Sequence, residues 1–337
     1  MYRVILAILL SVSLVSCFKE NDYVIKPIPI PQTKIPYSIY EYETYFSLSD
    51  AKIVAHNNYA DWDLGFESTE SGYHIILNSS RFMYAGNTGS TDFNGITTNI
   101  ADTMIFDRSS GNLDSTAIGN WGDFSDMQNP TFYQKVYIIN RGVDENGTSF
   151  GFKKIIFEKL ENNTYYIHFA NLDNTDEHFF QIPKNPSLNF VQFSFENGGN
   201  LNTQQPNKEL WDFNLTKYST ILFDNNNIPT PYMVRGALIN SGISVAKDTI
   251  TPFESISFEN ISSYTFSNKQ DAIGYDWKIY KNDNYIVKLN YSYIIKDRSN
   301  NYYKLRFTDF YNSIDTDPNF GEKGYLSFQF EKLDYVK

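Results

Sequence analysis

The pair Trp62-Asp63 returns at Trp211-Asp212, and this return opens an internal repeat that dominates everything else the chain can do. Phe82-Met83-Tyr84-Ala85-Gly86 is followed, in the second half, by Tyr232-Met233-Val234-Arg235-Gly236. IIFEKLENNTYYIHFANL, residues 155–172, aligns without a gap on YIIKDRSNNYYKLRFTDF, residues 293–310. Last, Phe190–Glu196 matches Tyr325–Glu331. Self-similarity in a fixed order marks a duplicated supersecondary plan. The expected organisation is a first unit over residues 39–198 and a second over 199–337.

Both units read as β-structure. Aromatic residues make up 17 % of the chain, with 27 Phe and 26 Tyr, and aromatic side chains suit a pleated, half-buried surface. Asn, Asp and Gly cluster between the apolar runs, where turns need them. Alternation in Tyr166-Ile167-His168-Phe169 and Lys304-Leu305-Arg306-Phe307 predicts strands with one face in and one face out. Asn162-Asn163 and Asn300-Asn301 are placed to make type I′ hairpin turns, so 155–172 and 293–310 should each be a hairpin. The fold class expected is all-β. Each Trp-Asp pair should close a core, with the indole buried and the carboxylate bonded to turn amides.

The start of the chain carries a different signal. Residues 1–16 place Arg3 before an apolar run from Val4 to Val15, too short to span a bilayer and of the length of a signal-peptide core. The run ends in Leu14-Val15-Ser16-Cys17, which resembles the lipobox of bacterial lipoprotein precursors. Cys17 is thus the expected lipidation site, and acyl chains bury methylenes in lipid at about 0.8 kcal/mol each. It is also the only cysteine, so a disulfide framework is excluded. Residues 17–38, with Pro27, Pro29, Pro31 and Pro36, read as an extended spacer. Cleavage removes Arg3 and leaves 27 basic against 39 acidic residues (28 − 1 = 27; 27 − 39 = −12), which argues against nucleic acid as a partner. Lys19-Glu20-Asn21-Asp22 resembles the acidic tract that directs some lipoproteins to the outer face of the outer membrane. The localisation expected is therefore the cell surface, lipid-anchored in the outer membrane.

In the second unit WDFNLTKYSTILF, MVRGALINSGISVAKD, YDWKIY, YIIKDRSNNYYKLRFTDF and GYLSFQFEKL follow one another. This order resembles the HmuY family, surface lipoproteins that bind haem and pass it to an outer-membrane receptor. Asn stands where the family hairpin has glycine, and the first unit matches more loosely. The resemblance implies an all-β fold, haem as cargo, haemoproteins as its source and a TonB-dependent receptor as partner. In well-known members two histidines hold the iron, one shortly after the tryptophan strand and one upstream. The corresponding stretches here, Trp277–Asn282 and Glu259–Tyr264, contain no histidine.

Iron in haem accepts imidazole nitrogen or thioether sulfur, so the ligand must be sought elsewhere among His and Met. Met83 and Met233 share a repeat position, while His56 lies before Trp62 and His74 after it; these four are the candidate haem ligands. His168 and His178 read as solvated strand and turn residues. Asp315, Asp317 and Asn319 alternate as calcium ligands do, without the flanking helices of an EF-hand. No G-x-S-x-G, H-E-x-x-H, G-x-x-x-x-G-K-[ST] or G-x-G-x-x-G occurs, so no enzymatic machinery is expected. The function expected is haem binding for iron acquisition. The alternative is an adhesive or ligand-binding surface module, for protein or glycan, on the same fold.

Overall fold

Asn162 and Asn163 take φ of 50° and 58°, the left-handed pair that a two-residue type I′ turn demands, and Glu161 pairs with Thr164 across them. This hairpin is one of several in the computed structural model, which describes residues 30–202, 205–312 and 321–334. Cys17, the signal segment and the calcium-like residues Asp315, Asp317 and Asn319 lie outside the described residues. The strands are, in chain order, β1 (Gln32–Lys34), β2 (Tyr42–Ser47), β3 (Lys52–Asn58), β4 (Leu64–Glu67), β5 (Ile75–Leu77), β6 (Tyr84–Asn87), β7 (Gly122–Asp123) and β8 (Thr131–Phe132). There follow β9 (Val136–Asn140), β10 (Phe152–Glu161), β11 (Thr164–Ala170), β12 (His178–Pro183), β13 (Phe190–Ser194), β14 (Asn200–Asn202), β15 (Phe213–Phe223) and β16 (Pro229–Ile239). The last are β17 (Ser244–Asp248), β18 (Lys278–Lys281), β19 (Asn284–Val287), β20 (Ser292–Lys296), β21 (Tyr302–Tyr311) and β22 (Lys323–Leu333). Short 3-10 turns punctuate them, and no described helix is long and apolar enough to cross a membrane. The fold is all-β.

Four sheets build two cores. A five-stranded sheet β12-β11-β10-β9-β6 and a four-stranded sheet β14-β13-β4-β5 enclose the first, where Phe66, Ile75, Ile139, Phe157, Phe169 and Phe193 meet. A five-stranded sheet β1-β22-β21-β20-β17 and a four-stranded sheet β16-β15-β2-β3 enclose the second, around Phe46, Phe213, Ile239, Ile295, Leu305 and Phe328. The two sandwiches have the same plan, strand for strand. In it β4 corresponds to β15, β5 to the end of β16, β6 to β17, β9 to β20, β10 to β21 and β11 to β22.

The remaining strands of the second sandwich come from the other end of the chain. β12, β13 and β14 close the first sandwich; β1, β2 and β3 hold those places in the second. Hydrogen bonds fix the equivalence: Asp63 N–H donates to Phe193 O at 2.7 Å, and Asp212 N–H to Phe46 O at 2.8 Å. Phe195 N–H donates to the Asp63 carboxylate at 2.9 Å, and Leu48 N–H to that of Asp212 at 2.7 Å. Asn78 and Asn240 likewise each donate to the carbonyl of their tryptophan, at 2.8 Å. Buried Lys154 and Lys304 hold the same place on β10 and β21, the first ammonium donating to the carbonyls of Phe93 and Ile96 and the second to that of Ile256.

Several expectations are corrected by this arrangement. Residues 39–58 serve the second sandwich, so the division at 198 and 199 does not partition the cores; residues 31–337 form one compact unit. The spacer does not extend to residue 38, because Gln32–Lys34 pairs with Ser327–Gln329 and Ile35 is buried. An edge strand accepts flanking prolines, since one row of its N–H groups needs no partner. The letter-by-letter match of 155–172 with 293–310 is displaced by one strand: β10–β11 stands where β21–β22 stands. Phe190–Glu196 matches β2 in space, not Tyr325–Glu331. Asn300 alone has positive φ, 62°, and Asp297 O accepts from Asn300 N–H, so the second hairpin closes on a longer turn than the one at Asn162-Asn163. Lys304, expected on an outer face, is buried.

The halves are stitched together by polar contacts. Ser80 Oγ donates to Lys217 O at 2.7 Å, Asn189 Nδ2 to Asn240 Oδ1 at 2.7 Å, and Ser109 Oγ to Asp271 Oδ2 at 2.7 Å.

Candidate functional site

Met83 is 1 % exposed and belongs to the first core beside Leu77 and Ile139, so its sulfur is out of reach of any ligand from solvent. Its pairing with Met233 in the repeat is a coincidence of letters. Ala85 bridges to Ile105 and pairs with Ile139, whereas Val245 bridges to Ser267 and pairs with Ile295, which makes Ile243 the counterpart of Met83. A buried thioether here fills a gap that a branched aliphatic fills in the other half.

The two candidate histidines are also separated. His56 is exposed on β3 and stacks on Tyr37 with ring centroids 3.6 Å apart. His74 is held by Glu67, with Nδ1 2.6 Å from Oε2, and its Nε2 is 3.9 Å from the exposed Asp114 carboxylate. His168 and His178 are paired with Glu177 and Asp176 at 2.7 and 2.8 Å, and His168 stacks between Phe93 and Phe179. Among the described residues no three His, Cys, Asp or Glu side chains are grouped to hold a metal ion.

Met233 has a different setting. β15 and β16 pair over eleven residues each, but β2 covers only Phe213–Leu215, so the far part of this ribbon has no third strand on that edge. Phe223, Ile228 and Tyr232 are exposed there at 67, 55 and 55 %. Met233 is half-buried opposite Ser219. A second ribbon, β18–β19, turns at Asn282-Asp283, whose φ values of 51° and 62° again give type I′ geometry. It exposes Ile279, Tyr280 and Ile286.

Tyrosines join the two ribbons. Tyr285 of β19 lies near enough to Tyr232, Tyr280 and Tyr311 to feel their charge, and burial is the main cause that pushes its phenol up. Its backbone N–H donates to Tyr311 Oη at 2.8 Å, and its ring is 5.0 Å from that of Tyr280. Tyr40 is pushed up to about 12, chiefly by burial, against the pull of Arg235, whose guanidinium lies 4.0 Å from the Tyr40 ring centre. Lys278, the first residue of β18, is buried, its ammonium 4.0 Å from the Trp277 ring and donating to Arg235 O. Burial, then Arg235, lowers its ammonium to about 7. Trp277 itself is fully buried and stacks on Phe307 at 4.0 Å, so it anchors the ribbon and is not part of the exposed surface.

The result is a surface of aromatic faces, with one thioether and several phenols, over cationic groups. Tyr232, Tyr280 and Tyr285 were not singled out from sequence, because 26 tyrosines give no basis for choosing. The signal present was the Asn282-Asp283 turn between IYK and NYIV, which announces a hairpin directly after Trp277.

A family model described as "HmuY protein" matches residues 40–330, both halves in one span. No curated protein matches the chain. Among solved structures, apo PinO from Porphyromonas gingivitis is 8 % identical, with 92 % of this chain and 100 % of that chain covered and a TM-score of 0.25. A putative HmuY-like heme-binding protein from Bacteroides vulgatus is 11 % identical over 89 % and 90 % of the two chains, with a TM-score of 0.19. The apo HmuY analogue of Tannerella forsythia is 11 % identical over 91 % and 97 %, with a TM-score of 0.21.

Proposed function

The chain belongs to the HmuY family, and on that premise we propose that it is a non-catalytic haem carrier whose porphyrin rests on the ribbons β15–β16 and β18–β19. The supporting observation is that the first ribbon exposes Tyr232 with Met233 half-buried next to it in the strand, and the second exposes Ile279, Tyr280 and Ile286. A flat macrocycle gains from such faces by area burial and offset stacking. Iron accepts thioether or phenolate, so Met233 and the phenols of Tyr232 and Tyr285 are the groups suited to hold it. The histidines are not on these ribbons: His74 precedes β5, its Nδ1 held by Glu67, and His56 lies on β3 against Tyr37.

The further parts of the reading are of the same kind. Cys17 carries the lipid that anchors the chain in the outer membrane, facing outward. Haem is taken from haemoproteins and handed to a TonB-dependent receptor.

Haemin titration of the chain starting at Phe18, followed by absorbance in oxidised and reduced states, tests the binding step. A saturable Soret shift that weakens in Met233→Ala or Tyr285→Phe supports the site. A featureless titration in both states sinks the haem reading and leaves the adhesive or ligand-binding module.

A further inference from the structure

A cavity of about 360 Å³ lies between the two halves, lined in part by Asn214, Thr216 and Leu238 at the end of β15–β16 opposite Phe223 and Tyr232. At roughly 30 Å³ per water it has room for about a dozen, and it sits at the small end of the roughly 300–1,000 Å³ typical of small-molecule sites. Both Trp-Asp turns reach it: Trp62 and Trp211 line it together with Glu43, Tyr45, Gln192 and Asn214. These six residues are all more than nine-tenths buried.

Its polar lining is incomplete in a specific way. Tyr45 Oη donates to Glu43 at 3.1 Å, and the side chains of Asn214, Asn57 and Gln192 also donate to that carboxyl. The amide nitrogens of Asn214 and Gln192 are thereby used, while their oxygens have no partner. The indole N–H groups of Trp62 and Trp211 and the hydroxyl of Tyr218, a further lining residue, also lack one. Leaving a buried polar atom unpaired costs about 1–3 kcal/mol, so these walls hold polar atoms that their own packing leaves unsatisfied, while Asn112, Asn189, Gln205, Asn268 and Gln270 give the lining a neutral polar character.

Charge narrows the class. Arg108 is the only cation of the lining, against Glu43, Glu67 and Asp107, so an anion is disfavoured. Glu67 is engaged by His74 and Thr69, and Asp107 by the amides of Leu77 and Ala117, so neither is free for a cation. Tyr45 and Trp211 meet edge to face at 4.9 Å and add apolar surface beside the polar atoms. A hydroxyl both donates and accepts, and a sugar ring pairs such hydroxyls with C–H faces that suit aromatic walls. We propose that the cavity between the halves binds a neutral carbohydrate of one or two rings, independently of the haem surface.

The test titrates the mature chain with glucose, galactose, N-acetylglucosamine, maltose and lactose, read by tryptophan fluorescence and calorimetry. Two of the four tryptophans, Trp62 and Trp211, line the cavity; Trp121 and Trp277 belong to the cores. The expected result is saturable binding of at least one sugar, weakened about tenfold or more in Asn214→Leu, which turns part of the polar wall apolar. Asn268→Trp, at an exposed residue of the lining, should weaken it as well while leaving the interior bonds intact, and so guards against an Asn214→Leu chain that fails to fold. No response to any of the five sugars overturns the proposal and makes the cavity a water-filled seam. Binding unchanged in both variants overturns it too, by placing the sugar elsewhere. Haemin binding measured in parallel stands or falls separately.

Discussion

The backbone N–H of Asp212 donates to the carbonyl of Phe46 at 2.8 Å, so the second sandwich is closed by a strand from the beginning of the chain. Phe46 is 1 % exposed and stacks on Phe213 at 5.4 Å, and with Ile35, Ile39 and Leu48 it brings the N-terminal stretch into a core otherwise built from the C-terminal half.

Phe46→Ala should therefore destabilise the second sandwich by about 3–5 kcal/mol, the usual range for removing a buried phenylalanine. Urea unfolding followed at Trp277 is the measurement. A change under about 1 kcal/mol would show that β2 is dispensable to that core.

Asp63 and Asp212 occupy equivalent places, yet their neutral variants should differ. Asp63 is fully buried and takes bonds from Arg81 at 2.8 Å and from Arg141 at 3.0 and 3.1 Å. Asp63→Asn leaves buried Arg81 without its counter-ion and Arg141 with Glu196 alone, and breaking a buried pair costs about 3–5 kcal/mol. Asp212 has no such pair and its carboxyl is pushed up by burial, so Asp212→Asn should cost clearly less. Equal losses in thermal melts would contradict the assignment of the arginine pair to Asp63 alone.

Glu43 should make stability fall with rising pH. Burial pushes its carboxyl from an ordinary 4.5 up to about 7, against the bonds it accepts from Tyr45, Asn214, Asn57 and Gln192. Between those values the folded chain holds a proton that the unfolded chain has released. Its contribution is thus full below about 4.5 and lost by about 7, on the order of 3 kcal/mol in all. Wild type minus Glu43→Gln in denaturant melts between pH 4 and 8 isolates this group; a flat difference would refute it.

Met83→Ala should lower stability by about 2–5 kcal/mol while leaving haemin stoichiometry unchanged, since its sulfur lies inside the first core. His56→Ala and His74→Ala should leave the Soret band in place as well. Loss of the band in any of the three would move the iron site away from the tyrosine ribbons.

Much was legible in the letters because it depends on neighbours in sequence. Alternation set the strands, Asn162-Asn163 set a turn that needs two left-handed residues, and the Trp-Asp pairs marked two equivalent places where a carboxylate accepts from a backbone amide, though their indoles line the cavity and not a core. The order of motifs pointed to the HmuY family. The equivalence of Met83 with Met233 was not sound, because similarity of letters says nothing about which strand of a sheet a segment will occupy. Nor could 26 tyrosines be ranked before the fold showed Tyr232 and Tyr280 exposed on two ribbons.

The sequence by itself determined that this is a duplicated, aromatic-rich β-protein, since periodicity and turn chemistry act over a few residues. Tertiary structure alone decided that the second copy is completed by residues 32–58, for strand pairing joins edges by hydrogen bonds without regard to distance along the chain. It also decided that Glu43, Gln192 and Asn214, drawn from three separate stretches, enclose one cavity, because burial is a property of the packed whole.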